Sequence, residues 1–207
     1  MTRRLLAKQS GVRSTFIGYT KQFDNVTVKE STLERDYYNW MLFTLPHDAV
    51  FIMQPDKFYY ELNGKPTHYT SDGHITFPCE KIWIDEVKYY EESIEPAVLH
   101  KHQVLKGLLE EDEKKKTTFR VLTERDIRIG ERAENYKMLK PCLHHPAPVK
   151  VMEALLSKVK QPQLSLWELY TLADNKRINR SVIKNAVAHK LLKTDLTKAW
   201  KELVFTW

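Results

Sequence analysis

The sequence predicts an α/β sandwich followed by a small, basic helical module. Three observations carry this expectation. Helix-period and strand-period segments alternate through the first 123 or so residues, a proline-rich stretch (KPCLHHPAP, residues 140–148) interrupts the chain, and the remainder reads as short amphipathic helices. In order, residues 31–45 place Leu33, Tyr37, Trp40, Met41 and Leu45 on one helical face. AVFIMQP then reads as a strand, and KFYYELNGKPTHYTSDGHITF as further antiparallel strands with a turn at Asn63-Gly64. Another strand is expected over residues 81–90. Pro96 suits the first turn of a helix reaching Leu109, and TFRVLTERDI gives a last strand around residues 118–123.

Three prolines within residues 140–148 cannot continue a helix, so two domains are expected, 1–143 and 144–207. In the second, residues 149–159, a segment from Leu164 and a segment from Asn179 are each amphipathic. Ser165 followed by Glu168 forms a capping box. The chain closes on AWKELVFTW, a short strand or wing. Three short helices and a strand suggest a winged-helix-like module; a bundle that packs on the first domain or on a partner has the same pattern.

Composition is that of a soluble globular chain, with 42% hydrophobic and 29% charged residues and no low-complexity tract. No apolar run approaches the roughly 18–20 residues that span a bilayer, and the N-terminal apolar segment is too short for a signal peptide. Cys79 and Cys142 lack metal-type spacing, and a cytosolic protein is the expectation. The net charge of +6 is unevenly spread: −1 over residues 1–139 and +7 over 140–207. A basic C-terminal third suits contact with phosphates, and equally a solvated lysine-rich face.

The most informative stretch is KIWIDEVKYY, an apolar strand with charges at its centre. Unpaired charges in a packed sheet cost on the order of several kcal/mol, so these need partners or a task. Residues two apart face the same side of a strand, so Glu86 and Lys88 project together and Asp85 faces away, towards a Lys or Arg. If the preceding strand pairs as a hairpin, Asp72 converges on Glu86. Two facing carboxylates call for a cation between them, and a hard ion such as Mg²⁺ is suited to oxygen ligands. Lys88 would orient an attacking water or offset charge on a pentacovalent phosphate, completing the parts needed for phosphodiester hydrolysis.

The pattern Asp72-x13-Glu86-x-Lys88, preceded by a helix bearing Glu34, resembles the active site of the restriction-endonuclease-like PD-(D/E)xK superfamily. The ordered set ESTLERDYYNWML, IMQP, YYELNGKPTHYTSD, IDEVK and FRVLTERDI…AENYKML is similar to TnsA-type endonuclease subunits of heteromeric cut-and-paste transposases, over roughly residues 10–140. LLKTDL extends the likeness loosely into the C-terminal helices. The resemblance implies a restriction-endonuclease-like mixed sheet flanked by helices, and a bacterial, cytoplasmic enzyme that joins the nucleoid when acting. It implies cutting of the 5′ strands at transposon ends in double-stranded DNA, beside a DDE transposase and an AAA+ ATPase regulator. Carried over by position, Asp72 and Glu86 hold Mg²⁺ (or Mn²⁺) with the Val87 backbone carbonyl, Glu34 is a further carboxylate, and Lys88 is the catalytic lysine. Ser71 stands where the family often has proline, and Gly73 where a larger apolar residue is common. A stand-alone restriction or repair-type nuclease and a non-catalytic DNA-binding adaptor are the alternative functions.

On its own residues Glu34 reads as a helix cap, since Ser31 to Glu34 is itself a capping-box pattern. Gln54-Pro55 reads equally as a strand-end turn or as a hydrogen-bonding group near the site. His100 and His102 are spaced to point apart on a helix, and His144-His145 falls in the proline-rich stretch, so neither pair suggests zinc. Residues offered for DNA contact are Arg3, Arg4 and Arg13 at the N-terminus and Lys176, Arg177, Arg180 and Lys184 in the basic module.

Overall fold

The computed structural model describes residues 16–20, 25–29, 31–55, 57–111 and 116–207. They form a mixed α/β protein that divides into two compact units. One holds the described residues up to Tyr38 together with Leu45–Asp126; the other holds Asn39–Thr44 and Ile127–Trp207. The proline-rich residues 140–148 lie inside the second unit.

The first unit opens with an antiparallel pair, β1 (Phe16–Thr20) and β2 (Asn25–Lys29). Helix α1 (Thr32–Thr44) follows, then β3 (Val50–Met53). Strands β4 (Phe58–Leu62) and β5 (Lys65–Tyr69) form a separate hairpin. Its two-residue turn is the expected Asn63-Gly64, with φ of 53° and 72°, the paired left-handed conformation that matches strand twist. Strands β6 (Gly73–Thr76), β7 (Ile82–Val87) and β8 (Thr117–Leu122) join β3 in a four-stranded sheet of order β3-β6-β7-β8. The β3–β6 and β6–β7 pairs are antiparallel, and β7–β8 is parallel. Between β7 and β8 lie α2 (Tyr90–Ser93) and α3 (Pro96–Glu110), the crossover that a parallel pair requires.

Register assigns the side chains to two faces. On one, Phe51, Ile75 and Trp83 align across β3, β6 and β7, followed by Gly73 beside Asp85. Helix α1 covers this face: Tyr37, 0% exposed, meets Phe51 edge-to-face at 5.9 Å. On the other face Ile84 and Phe119 pair across β7 and β8, and Glu86 pairs with Val121. Leu105 of α3 packs here in a core with Tyr69 and Phe119, which Ile84, Leu109 and Val121 extend.

The second unit contains α5 (Arg132–Leu139), after α4 (Glu124–Ile127) at the division between units. Phe43 stacks on Tyr136 with ring centroids 4.8 Å apart. The proline-rich stretch begins as a 3-10 helix (Lys140–His144), so its prolines end α5 without ending the packed unit. Helices α6 (Val149–Leu156), α7 (Leu166–Asn175) and α8 (Ser181–Ala188) follow. Ser165 and Glu168 cap α7 reciprocally, as the sequence predicts. The chain closes with β10 (Val204–Phe205) antiparallel to β9 (Leu164–Ser165), and a bridge joins Lys193 to Thr206. The Asn135 side-chain amide donates to the Leu196 and Lys198 carbonyls, both at 2.8 Å, tying α5 to this closing segment. Among the described residues, no helix is long and apolar enough to cross a membrane.

Candidate active site

The site stands at the end of β7, where the sheet changes from antiparallel to parallel pairing. Asp72 directly precedes β6, and its backbone N–H donates to the Asp85 carbonyl at 2.9 Å. That bond carries the ladder one residue past β6 and sets Asp72 beside the last turn of the pleat. Asp72 Oδ2 in turn accepts from the Val87 N–H at 2.7 Å. Glu86 is buried on the α3 face, where its Oε2 accepts from the Tyr69 hydroxyl at 2.8 Å. Its Oε1 stands 3.4 Å from Lys88 Nζ and 3.9 Å from His102 Nε2. The second of these is too long for a hydrogen bond.

Electrostatics separate the two carboxylates. Burial, then the charge of Glu86, raises the Asp72 carboxyl to about 8; the Val87 N–H opposes the rise, Glu34 adds to it, and Lys88 lowers it. Burial would raise Glu86 too, but His102, Lys88, Tyr69 and Lys101 together outweigh it and hold Glu86 below the ordinary glutamate value. Lys88 loses charge stability through burial, yet Glu86 and Asp72 more than restore it and raise its pKa. At neutral pH the metal-free site therefore holds one carboxylate, one ammonium, and one carboxyl that burial and the neighbouring Glu86 charge keep protonated.

The remaining residues sort clearly. Asp85, 0% exposed, faces α1, where Arg120 Nε and Nη2 bind it at 2.7 and 2.6 Å and the Tyr37 hydroxyl donates at 2.7 Å. It is the charge with an arginine partner that strand alternation predicts. Gly73, which interrupts the expected apolar pattern, has a purpose here: a Cβ would stand 2.1 Å from the Tyr37 hydroxyl oxygen. The glycine thus leaves room for Tyr37 to reach Asp85. Glu34 takes its capping part, with its N–H donating to Ser31 Oγ and its carboxylate accepting from that hydroxyl, both at 3.1 Å. Its charge also bears on Asp72. Gln54 has φ of 47° and donates its backbone N–H to the Asp72 carbonyl at 3.4 Å, a strand-end turn touching the site through its main chain.

Two participants escape a reading by motif, Tyr69 and His102. Tyr69 precedes the motif by three residues and looks like one more strand aromatic. His102 does carry a signal, because Val98, His102, Leu105 and Leu109 recur at helical spacing and place it on the buried stripe of α3. His100 is exposed, 3.3 Å from Asn63 Oδ1.

Among the described residues, no three His, Cys, Asp or Glu side chains cluster closely enough to hold a metal by themselves. The donor set nevertheless fits Mg²⁺, which is commonly held by one or two carboxylates and completes its shell with water and substrate phosphate. Asp72 and Glu86, with the Val87 carbonyl, are such a set, and the charge of Glu86, after burial, is what raises the Asp72 carboxyl.

Of the residues offered for DNA contact, Arg3, Arg4 and Arg13 lie outside the described residues. Lys176 Nζ caps α6, bonding the Ala154 carbonyl and lying 3.4 Å from that of Leu155. Arg180 pairs with Asp174 through two nitrogens, and Lys184 Nζ lies 5.8 Å from the centre of the Trp200 ring. Arg177, exposed with φ of 57°, sits in the turn between α7 and α8.

No family model matches the chain, and the search of curated proteins finds no match.

Proposed function

We propose that this chain is a metal-dependent DNA endonuclease with a restriction-endonuclease-like core, cutting the 5′ strands at transposon ends. The observation that carries the reading is the Asp72–Glu86 pair, one carboxyl just before β6 and one on β7, the first raised by burial and then by the charge of the second, with the Lys88 ammonium 3.4 Å from Glu86. Such a pair wastes electrostatic energy unless a cation joins it. Asp72, Glu86 and the Val87 carbonyl would hold Mg²⁺, or Mn²⁺ in its place. A bound ion of this kind supplies a Lewis acid for the phosphate and lowers the pKa of a coordinated water.

The protein's own residues then have distinct tasks. Asp72 would hold the ion as its carboxylate, its proton passing to solvent. Glu86, already ionised, needs no such change. Lys88, kept protonated by both carboxylates, orients the water or offsets charge on the phosphate oxygens. Glu34 keeps its cap and contributes negative charge from α1. Helices α6–α8 with the β9–β10 pair support a winged-helix reading of the C-terminal segment, whose α7–α8 turn would face DNA, a DDE transposase or an AAA+ regulator. The protein would act on DNA in the bacterial cytoplasm.

The test is 5′-strand cutting of a plasmid bearing the transposon ends, in Mg²⁺, with and without the cognate transposase. Cutting that requires the transposase and is lost in Asp72→Asn is the expected result. Cutting by the chain alone favours a free-standing nuclease, and activity unchanged in Asp72→Asn and Lys88→Ala would leave a DNA-binding adaptor as the reading.

A further inference from the structure

His102 is 6% exposed, and its Nε2 has no hydrogen-bond partner. Buried ring nitrogens are rarely left so, because the lost hydration is not recovered. Glu86 Oε1 stands 3.9 Å away, about 1 Å beyond an ordinary N–H···O bond. The ring is fixed on its other side, with its centroid 5.9 Å from that of Phe119 in an edge-on contact. Lys101, one residue earlier on α3, places its ammonium 5.3 Å from the Tyr69 ring centre. Thus α3 delivers two groups to the carboxylate that β7 presents, and Tyr69 from the β4–β5 hairpin delivers the third.

The occupancy of Oε1 matters because Lys88 shares it. An ammonium held by Glu86 is drawn away from water or phosphate. If the imidazole supplies the donor to Oε1 while Tyr69 supplies the donor to Oε2, Glu86 is fixed at both oxygens and Lys88 is released to the substrate. Each oxygen retains a further lone pair for an ion.

We propose that His102 is a positioning residue for Glu86, its Nε2–H closing on Oε1 to form with the Tyr69 hydroxyl a two-point grip that frees Lys88. The metal-related part of this proposal rests on the nuclease reading; the grip itself does not. Outer groups that orient a metal-binding carboxylate contribute about 10–100-fold to metal affinity.

Two measurements on the full chain separate these claims. In ¹⁵N spectra of the metal-free protein, His102 Nε2 is expected to carry a proton and to shift on Glu86→Gln. An unprotonated Nε2, or one indifferent to Glu86→Gln, overturns the grip. Mn²⁺ affinity, read by electron paramagnetic resonance, is expected to fall about 10–100-fold in His102→Leu and to recover largely in His102→Gln, whose amide can still donate. Equal losses in a folded Leu and Gln variant, or none in either, overturn the positioning role. Should the wild-type chain bind no Mn²⁺, the nuclease reading falls, and the ¹⁵N result alone decides whether His102 grips Glu86.

Discussion

Replacing Asp72 by asparagine removes an ionisable carboxyl from a crowded pair while keeping the shape. The side-chain oxygen of asparagine can still accept from the Val87 N–H, 2.7 Å from Asp72 Oδ2 in the native protein. The free energy at stake follows from the Asp72 carboxyl, raised from 3.8 to about 8 by burial first and Glu86 second. Between those two values the folded chain binds a proton that the unfolded chain has lost, so stability falls as pH rises through this window. From the ordinary value to pH 7 is about 3 units, at about 1.4 kcal/mol each, which sets a ceiling of about 4 kcal/mol. Asp72 remains partly open to solvent, and screening there brings the figure to about 2 kcal/mol.

Asparagine removes this penalty. In EDTA at pH 7 the unit holding the site should therefore melt about 4–8 °C higher in Asp72→Asn than in the wild type, at roughly 2–4 °C per kcal/mol. The gap should shrink as pH falls towards 4 and close below it, where the unfolded chain holds the proton as well, and reach full size above about pH 8. Mg²⁺ should reverse the order, because an ion that binds only the folded wild-type site stabilises only that chain. Thermal melts followed by circular dichroism at pH 4.5, 7 and 8, with EDTA or Mg²⁺, read all of this. A variant less stable than the wild type at pH 8 in EDTA, or a gap of equal size at pH 4.5 and 8, refutes the account of a repelling pair.

Asp85→Ala leaves Arg120 without its buried partner and should cost about 3–5 kcal/mol in urea unfolding, with Mn²⁺ affinity near the wild-type value. Gly73→Ala drives a methyl group to within 2.1 Å of the Tyr37 hydroxyl oxygen and should cost about 1–3 kcal/mol. Tyr37→Phe should relieve part of that loss in the double variant, and strictly additive costs in a double-mutant cycle would deny the clash. Lys88→Ala should lower Mg²⁺-dependent cleavage about 10²–10³-fold, while Mn²⁺ binding holds or tightens because an opposing cation has left. A loss of Mn²⁺ binding in that variant would instead give Lys88 a structural task.

What the sequence made legible is what depends on neighbours along the chain. Alternation in β7 separates Glu86 and Lys88 from Asp85, and two positive φ values at Asn63-Gly64 follow from the residue types the turn needs. The capping box at Ser165 and Glu168 is equally local. What remained hidden depends on which elements meet. Helical spacing puts His102 on the inner stripe of α3, but only the parallel β7–β8 crossover aims that stripe at Glu86. The Gly73 substitution makes sense only once α1 lies over the sheet and brings Tyr37 to Asp85. The +7 of the C-terminal residues counts Lys176 and Arg180 as available, yet one caps α6 and the other is paired with Asp174. Both side chains remain exposed, so these bonds and a phosphate contact are compatible. Charge patterning within one strand proved more informative, because a sheet interior allows few reasons for a carboxylate to be there. For Asp85 the reason is Arg120; Glu86 has the Lys88 ammonium at 3.4 Å, and one ammonium between two carboxyls leaves the pair short of full neutralisation, which is what a bound Mg²⁺ would supply under the proposed function.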